Sequence, residues 1–316
     1  MVINKKILIL EGGYNEEHDV SLKSSIEIQK ILKKIKIKFK VIRVRPKDFE
    51  IKISKYKNYI CFNALHGPYG EDGQIQRILR KNNLNFTHSN LKSSRICFDK
   101  LATKKIIKKN KILTPKFTLI KKDKLNYINL LKFKRNYKKF VIKPNTSGSS
   151  FGIKIIKNNK ELKKFINQID KFKQQLYLHN DILIEEFITG KELTVSTINF
   201  SNNIKALAVT EIKSKNTFFD YQAKYSKGYA RHILPAELSK KNYNNCLKLA
   251  ENVHKILGCK SIARTDFILN SKNNKIYFLE TNTQPGLTSV SLLPEQAKFK
   301  SITFQDIILG VLKNFN

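Results

Sequence analysis

Long apolar runs are missing from this 316-residue sequence. The longest, such as Ile7 to Leu10, hold about four residues against the roughly 20 that span a bilayer, so no transmembrane helix is expected. Cysteine is sparse: Cys61, Cys97, Cys246 and Cys259 stand far apart with no CxxC pair. That spacing suggests neither a zinc site nor a disulfide framework and makes a reducing cytoplasm the expected compartment. Acidic residues are also few, 25 against 61 Lys and Arg, which leaves a net charge of +36. No helix-turn-helix, zinc finger or RNP-type aromatic motif accompanies that charge. Lysine instead travels with isoleucine and asparagine along the whole chain, as in KKIKIKFK and KKIIKKNKI. All three have AT-rich codons, so nucleotide bias accounts for the charge better than a nucleic-acid or membrane partner. It can still raise encounter rates with anionic substrates.

What is present reads as a soluble globular protein, 41% hydrophobic and 27% charged, long enough for two or three small domains. The start, MVINKKILILEGG, echoes a signal peptide, but its apolar run is too short and Glu11 follows at once. It reads better as a first strand entering the turn Gly12-Gly13. A helix beginning near Ser21, strands at 38–45 and 58–63, and a helix with Asp72 as N-cap predict a parallel α/β unit over the first ninety residues or so. Ligand loops in such a sheet lie at the carboxyl ends of its strands. Shorter elements follow: a helix near 98–109, a strand at 116–120, the strands FVIKP and SFGIKII, a helix near 160–169 and the strand DILIEEF. Strands at 192–199 and 204–212 precede a polar loop at 213–232. Helices are expected at about 239–257 and 303–313.

The most informative stretch is RTDFILNSKNNKIYFLETNTQPGLTSVSLL, from Arg264 to Leu292. Alternate residues of a strand share a face, so Arg264 lies beside Asp266, and Glu280 beside Asn282. Asp266, Glu280 and Asn282 can then converge on hard cations, the oxygen-only ligation that Mg²⁺ favours when phosphate oxygens complete the shell. KPNTSGSSFG (143–152) lies between two strands and lacks the G-x-x-x-x-G-K-[ST] pattern. Its small residues let backbone N–H groups approach phosphates, with Lys143 adding charge, though alone it fits an ordinary hairpin equally well. His66 sits in the loop HGPYGEDG with no second His or Cys at metal-ligand spacing. Glu16, Glu17, His18 and Asp19 suit a helix start. The loop TFFDYQAKYSKGYARH fits a mobile lid.

Together these segments resemble the D-alanine–D-alanine ligases of the ATP-grasp superfamily. The matching runs are EGGYNEEHDVSL, ALHGPYGEDGQIQ, FDKLATK, KPNTSGSSFG, LIEEFITGKELTV, TFFDYQAKY, ARTDF and LETNTQPGLTSVSLLP, in family order across nearly the whole chain. The resemblance implies an α/β (α+β multidomain) protein: an N-terminal α/β domain over 1–94, then a two-lobed ATP-grasp fold over 95–187 and 188–316. It also implies a reaction. ATP phosphorylates the carboxylate of one D-alanine, and the amine of a second displaces the phosphate, for peptidoglycan precursor synthesis.

Carried over by position, Glu17 would hold the first ammonium, with Ser149 and Tyr225 hydrogen-bonded to it. Arg264 and the N–H of Gly286 would stabilise the oxyanion. His66 would lie near the first substrate, and Ser291 and Leu292 would line the second subsite. Lys100, Lys143 and Lys224 would contact phosphates, and Glu185, Phe187, Ile188 and Glu192 would surround adenosine. Asp266 and Glu280 would take one Mg²⁺, and Glu280 with Asn282 the other, Mn²⁺ being an alternative. A homodimer is also implied. The chain departs from the family pattern at His18, Ser147, Phe219 and Gln222, none of them a proposed metal ligand. A D-alanine–D-lactate ligase is the nearest alternative, disfavoured by Tyr225. A basic nucleic-acid-binding protein on a ligase scaffold is a more remote one.

Overall fold

The computed structural model describes residues 6–15, 17–148, 151–214 and 230–315. A first sheet is built from β1 (Lys6–Gly12), β2 (Phe39–Val44), β3 (Tyr59–Asn63) and β4 (Asn85–Phe86), in the order β2-β1-β3-β4. Every pairing in it is parallel, as the alternation of strand and helix implies. β1 is central and buried on both faces, which is why it reads as a continuous apolar run instead of an alternating one. Helices α1 (His18–Lys34), α2 (Phe49–Ile53) and α3 (Gln74–Lys81) cover it. Asp72 is not the N-cap of α3. Gly73 takes that place at φ +91°, and Asp72 accepts from the Gln74 N–H at 2.9 Å from one residue further out.

The helix expected near 98–109 is α5 (Lys100–Lys109), and an unanticipated helix, α4 (Leu91–Phe98), precedes it, the two meeting at Asp99. The extended backbone of Asp99 lets its carboxylate cap α5 through the Ala102 N–H at 2.9 Å. A second, antiparallel sheet follows, ordered β5-β8-β6-β7. It comprises β5 (Phe117–Lys121), β6 (Phe140–Pro144), β7 (Lys154–Ile156) and β8 (Asp181–Glu186), with helices α6 (Tyr127–Tyr137), α7 (Asn159–Ile166) and α8 (Ile169–Gln175). The segment KPNTSGSSFG does lie between two paired strands, β6 and β7.

The third sheet is antiparallel too, ordered β11-β10-β9-β12-β13. Its strands are β9 (Gly190–Phe200), β10 (Asn203–Ser214), β11 (Ala230–Ile233), β12 (Ser261–Asn270) and β13 (Ile276–Asn282). Helices α9 (Lys240–Ile256), α10 (Leu292–Phe299) and α11 (Phe304–Lys313) complete the chain. On β12 the residues Ala263, Thr265, Phe267 and Leu269 are buried, while the intervening Arg264, Asp266 and Ile268 are half-buried on the opposite face. Ala250 and Val253 of α9 share a core with Ala263 and Phe267. A separate core joins Ile7, Ile9 and Ile28 to Ile198, Ile262, Ile307 and Val311, so the last helix locks the first sheet onto the third. No described helix is long and apolar enough to cross a membrane.

Two histidines are sealed inside this framework. Burial pushes His88 down to about 3, with the nearby His66 adding to the fall against a hydrogen bond to the Thr87 backbone. Burial likewise pushes His254 down to about 4, against a hydrogen bond with the Cys259 backbone. Between pH 6.5 and 4 the unfolded chain binds protons that the folded chain refuses, so stability must fall as pH drops through that window. Urea unfolding at pH 7, 6 and 5 should show a loss for each ring that steepens below pH 6.5 towards about 1.4 kcal/mol per pH unit, before other groups contribute. A midpoint unmoved by His254→Gln in its pH dependence would refute the assignment to His254.

Candidate active site

The register of β12 with β13 sets four polar side chains in a square. Arg264 stands opposite Asn282, and Asp266 opposite Glu280, all on the half-buried face. The shared faces inferred from strand alternation are therefore real, and pairing brings the two strands' sets together. Arg264 does more than lie beside Asp266: its Nε donates to Oδ1 at 2.9 Å and its terminal nitrogen to Oδ2 at 2.8 Å. Thr194 on β9 donates a third hydrogen bond to Asp266 Oδ1 at 2.6 Å. The Asn282 amide oxygen accepts from the Gln284 N–H at 2.6 Å.

A cavity of about 320 Å³ opens between the second and third sheets. Apolar walls come from Val141, Ile153, Ile155, Phe187, Ile188, Ile268 and Leu279, and Lys143, Glu185, Glu192, Asp266 and Glu280 bring charge to it. Flat apolar walls with a charged end suit a nucleotide, base inward and phosphates toward the carboxylates. Beneath it Glu185 is held by two ammonium groups, Lys104 on Oε1 and Lys143 on Oε2, each at 2.9 Å. Burial opposes the charge on Glu185, but the two lysines prevail and hold its carboxyl below the usual range. Burial also lowers Lys104, to about 8, despite the pull of Glu185. For Lys143 burial works downward, yet Glu185 and Glu280 together raise it.

A second, smaller cavity lies on the other side of Glu280. Its lining includes Glu17, His66, Glu71, Lys100, Gly148, Arg264, Asn282 and Gly286. Glu280 borders both cavities. Lys100 Nζ lies 3.9 Å from Glu280 and donates to the Ser147 carbonyl at 2.6 Å, which ties the 143–152 hairpin to the floor. His66 meets Ser24 Oγ at 2.9 Å through Nε2 and Glu71 at 3.6 Å through Nδ1. Glu17 is buried against two glycines: a Cβ on Gly148 would come within 2.7 Å of its Oε2, and one on Gly67, at φ +70°, would overlap it.

Sequence reasoning missed the buried amides that join these walls. Asn63, at the end of β3, donates to Gln284 Oε1 at 2.7 Å and to the Gly70 carbonyl at 3.0 Å. Gln284 returns hydrogen bonds to the carbonyls of Asn63 and Leu65. An Asn at a strand end and a Gln in a loop carry no local signal, because what matters is their meeting across 221 residues. Lys104 was also missed, one lysine among many. Ser291 opens α10 as its N-cap and pairs with Thr288 Oγ1 at 2.7 Å, and Leu292 is buried beside it. Ser291 borders the small cavity only through Gly286, where a Cβ would lie 2.7 Å from its Oγ. Ser149, Lys224 and Tyr225, with Phe219 and Gln222, lie outside the described residues.

No group of three His, Cys, Asp or Glu gathers as metal ligands among the described residues. Asp266, Glu280 and Asn282 nevertheless form a hard-oxygen set on adjacent strands, which fits Mg²⁺ if a ligand's own oxygens fill the remaining positions. Three sheets in this order, with a nucleotide-sized cavity between the second and third, define an ATP-grasp architecture. A family model described as D-ala D-ala ligase C-terminus matches residues 106–313. The chain is 42% identical to a D-alanine--D-alanine ligase of Pelagibacter ubique, over 99% of this chain and 98% of that one. It is 37% identical to one of Rickettsia typhi, over 98% and 91%. Its structure is similar to that of a D-alanine--D-alanine ligase from Bacillus anthracis complexed with ATP, with a TM-score of 0.79 and 29% identity over 98% and 96% of the two chains. The chain belongs to the D-alanine–D-alanine ligase family.

Two substitutions test the walls of the small cavity. Gln284→Leu strands the Asn63 amide in the interior and should lower unfolding stability by about 1–3 kcal/mol in urea titrations. Gly67→Ala adds a methyl at a left-handed backbone position against Glu17, and should cost about 1 kcal/mol or more. Wild-type stability in either variant would show that the contact is not made in solution.

Proposed function

We infer that this protein joins two D-alanines into D-alanyl-D-alanine with hydrolysis of ATP to ADP and phosphate, supplying a peptidoglycan precursor. The observation that carries the reading is Glu280, which lines both cavities: a nucleotide in the larger would present its terminal phosphate to a carboxylate in the smaller. A free carboxylate is a poor electrophile, and transfer of the phosphoryl group gives it a leaving group.

The chain's own groups then have natural tasks. Glu17 would receive the ammonium of the first D-alanine, with His66 close by and Ser149 and Tyr225 completing its hydrogen bonds. Lys100, Lys143 and Lys224 would neutralise phosphate charge. Glu185, Phe187, Ile188 and Glu192 would surround adenosine. Asp266, Glu280 and Asn282 would hold Mg²⁺, or Mn²⁺ in its place, which would screen the charge of the phosphoryl oxygens. Arg264 and the Gly286 N–H would face the oxyanion formed when the second amine attacks, a charge absent from the ground state. Ser291 and Leu292 would shape the second subsite. Asp266 would share its oxygens between the cation and the fork to Arg264, which would weaken its hold on the guanidinium facing the substrate. We assign residues 1–94, 95–187 and 188–316 to an N-terminal domain and two clamping lobes, in a cytoplasmic homodimer without nucleic-acid or membrane partners.

Phosphate release from Mg-ATP should require D-alanine and fail with L-alanine. With D-alanine and D-lactate competing at neutral pH, the dipeptide should dominate; mostly depsipeptide would replace this reading with a D-lactate ligase, and no turnover would reject both. Arg264→Ala should slow turnover by about 10²–10³-fold while Mg-ATP affinity stays within a few fold, because its charge acts mainly in the transition state. An equal loss of ATP affinity would show that Arg264 serves ground-state binding.

A further inference from the structure

Lys104 is fully buried, does not line the larger cavity, and yet carries an ion pair to a residue that does. Its ammonium is 2.9 Å from Glu185 Oε1 and donates to Thr114 Oγ1 at 2.9 Å, and the Thr114 hydroxyl donates to the Phe278 carbonyl of β13 at 3.0 Å. The ring of Phe278 lies 6.0 Å from the same ammonium. One group thus joins α5, the β8 strand of the second sheet and the β13 strand of the third. Burying a lysine is unfavourable unless its partners repay the lost hydration, and one lysine alone would neutralise Glu185. Here there are two, and the second, Lys143, is the one that reaches the cavity.

We propose that Lys104 is a positioning residue for nucleotide binding: by holding Glu185 from below, it allows Lys143 to turn from Glu185 to the nucleotide. Were Lys143 the sole partner of Glu185, its departure would strand a buried carboxylate, and the departure would be opposed. With Lys104 in place Glu185 stays paired throughout, and the cluster keeps one net positive charge facing the polyanion. The Thr114 tether keeps Lys104 at this depth and links it to the strand that carries Glu280. This rests on the larger cavity being the ATP site.

The test is calorimetric binding of the non-hydrolysable analogue AMP-PNP with Mg²⁺ to the full-length protein, alongside steady-state kinetics. Wild-type protein that fails to bind AMP-PNP would reject the ATP site itself, separately from Lys104. Lys104→Met keeps the volume and removes the charge. It should weaken AMP-PNP binding and raise the KM for ATP about tenfold, with the KM for D-alanine within about twofold. In the double variant with Glu185→Gln, no charged carboxylate remains to retain Lys143. That variant should therefore bind AMP-PNP no more weakly than Glu185→Gln alone. Additive losses, or wild-type binding by Lys104→Met, would overturn the proposal. Should Lys104→Met fail to fold, Thr114→Val removes only the tether; a loss of about threefold is expected, and unchanged binding overturns the proposal equally.

Discussion

The antiparallel register of β12 against β13 is the constraint on which the rest of the site depends. It alone places Arg264 opposite Asn282 and Asp266 opposite Glu280. A slip of β13 by one residue would send Glu280 and Asn282 into the core and bring Phe278 and Thr281 to the cavity. What forbids the slip lies on the buried face. The Thr265 and Thr281 hydroxyls meet at 3.1 Å, and the rings of Phe267 and Phe278 pack edge to face at 6.3 Å. A bulge after Asp266 then shifts the pairing, so that Phe267 meets Phe278 and Leu279 is left as the extra residue, which lines the larger cavity. Hydrophobic packing on one face thus sets the polar geometry on the other.

That square becomes a site only when the first sheet is held against it, and the buried amides do so. Asn63 terminates β3 where ligand loops of a parallel sheet begin, and Gln284 follows the Glu-x-Asn of β13 by two residues. Their hydrogen bonds fix the loop bearing His66, Gly67 and Glu71 relative to the one bearing Asn282 and Gly286. The shared core of α1, α11 and both sheets supplies the bulk of the attachment but is non-directional. Directionality at the cavity comes from the amides, since each polar atom taken out of water must find its partner at one distance and angle.

Much of this was legible in the sequence, and the limits are physical. Local patterning located β1, β3 and α9 within a few residues and read two strands where β12 and β13 lie, β1 as a continuous apolar run and β12 by the alternation of its buried face. It did not find α6, or α4, which ends where Asp99 begins the cap of α5. The shared faces of Arg264 with Asp266, and of Glu280 with Asn282, followed from strand alternation alone. The bidentate bond between Arg264 and Asp266 did not, because alternation gives a side but no distance. Asn63, Gln284 and Lys104 have no meaning until distant segments meet, so no window of sequence could have distinguished them.

The lysines sharpen that last point. With 61 basic residues in the chain, charge marks no position by itself. Burial does. Among the described residues the buried lysine and arginine side chains are Lys100, Lys104 and Lys143, and all three converge on Glu185 or Glu280. A lysine that accumulates through codon bias persists where water can solvate it, and the many exposed ones need no further reason. The same substitution in the interior would require a carboxylate partner already in place. Three lysines gathered around two carboxylates at the junction of two cavities are therefore outside the reach of compositional drift. Their carboxylate partners hold them there, a charge pattern that the surface composition conceals and the fold exposes.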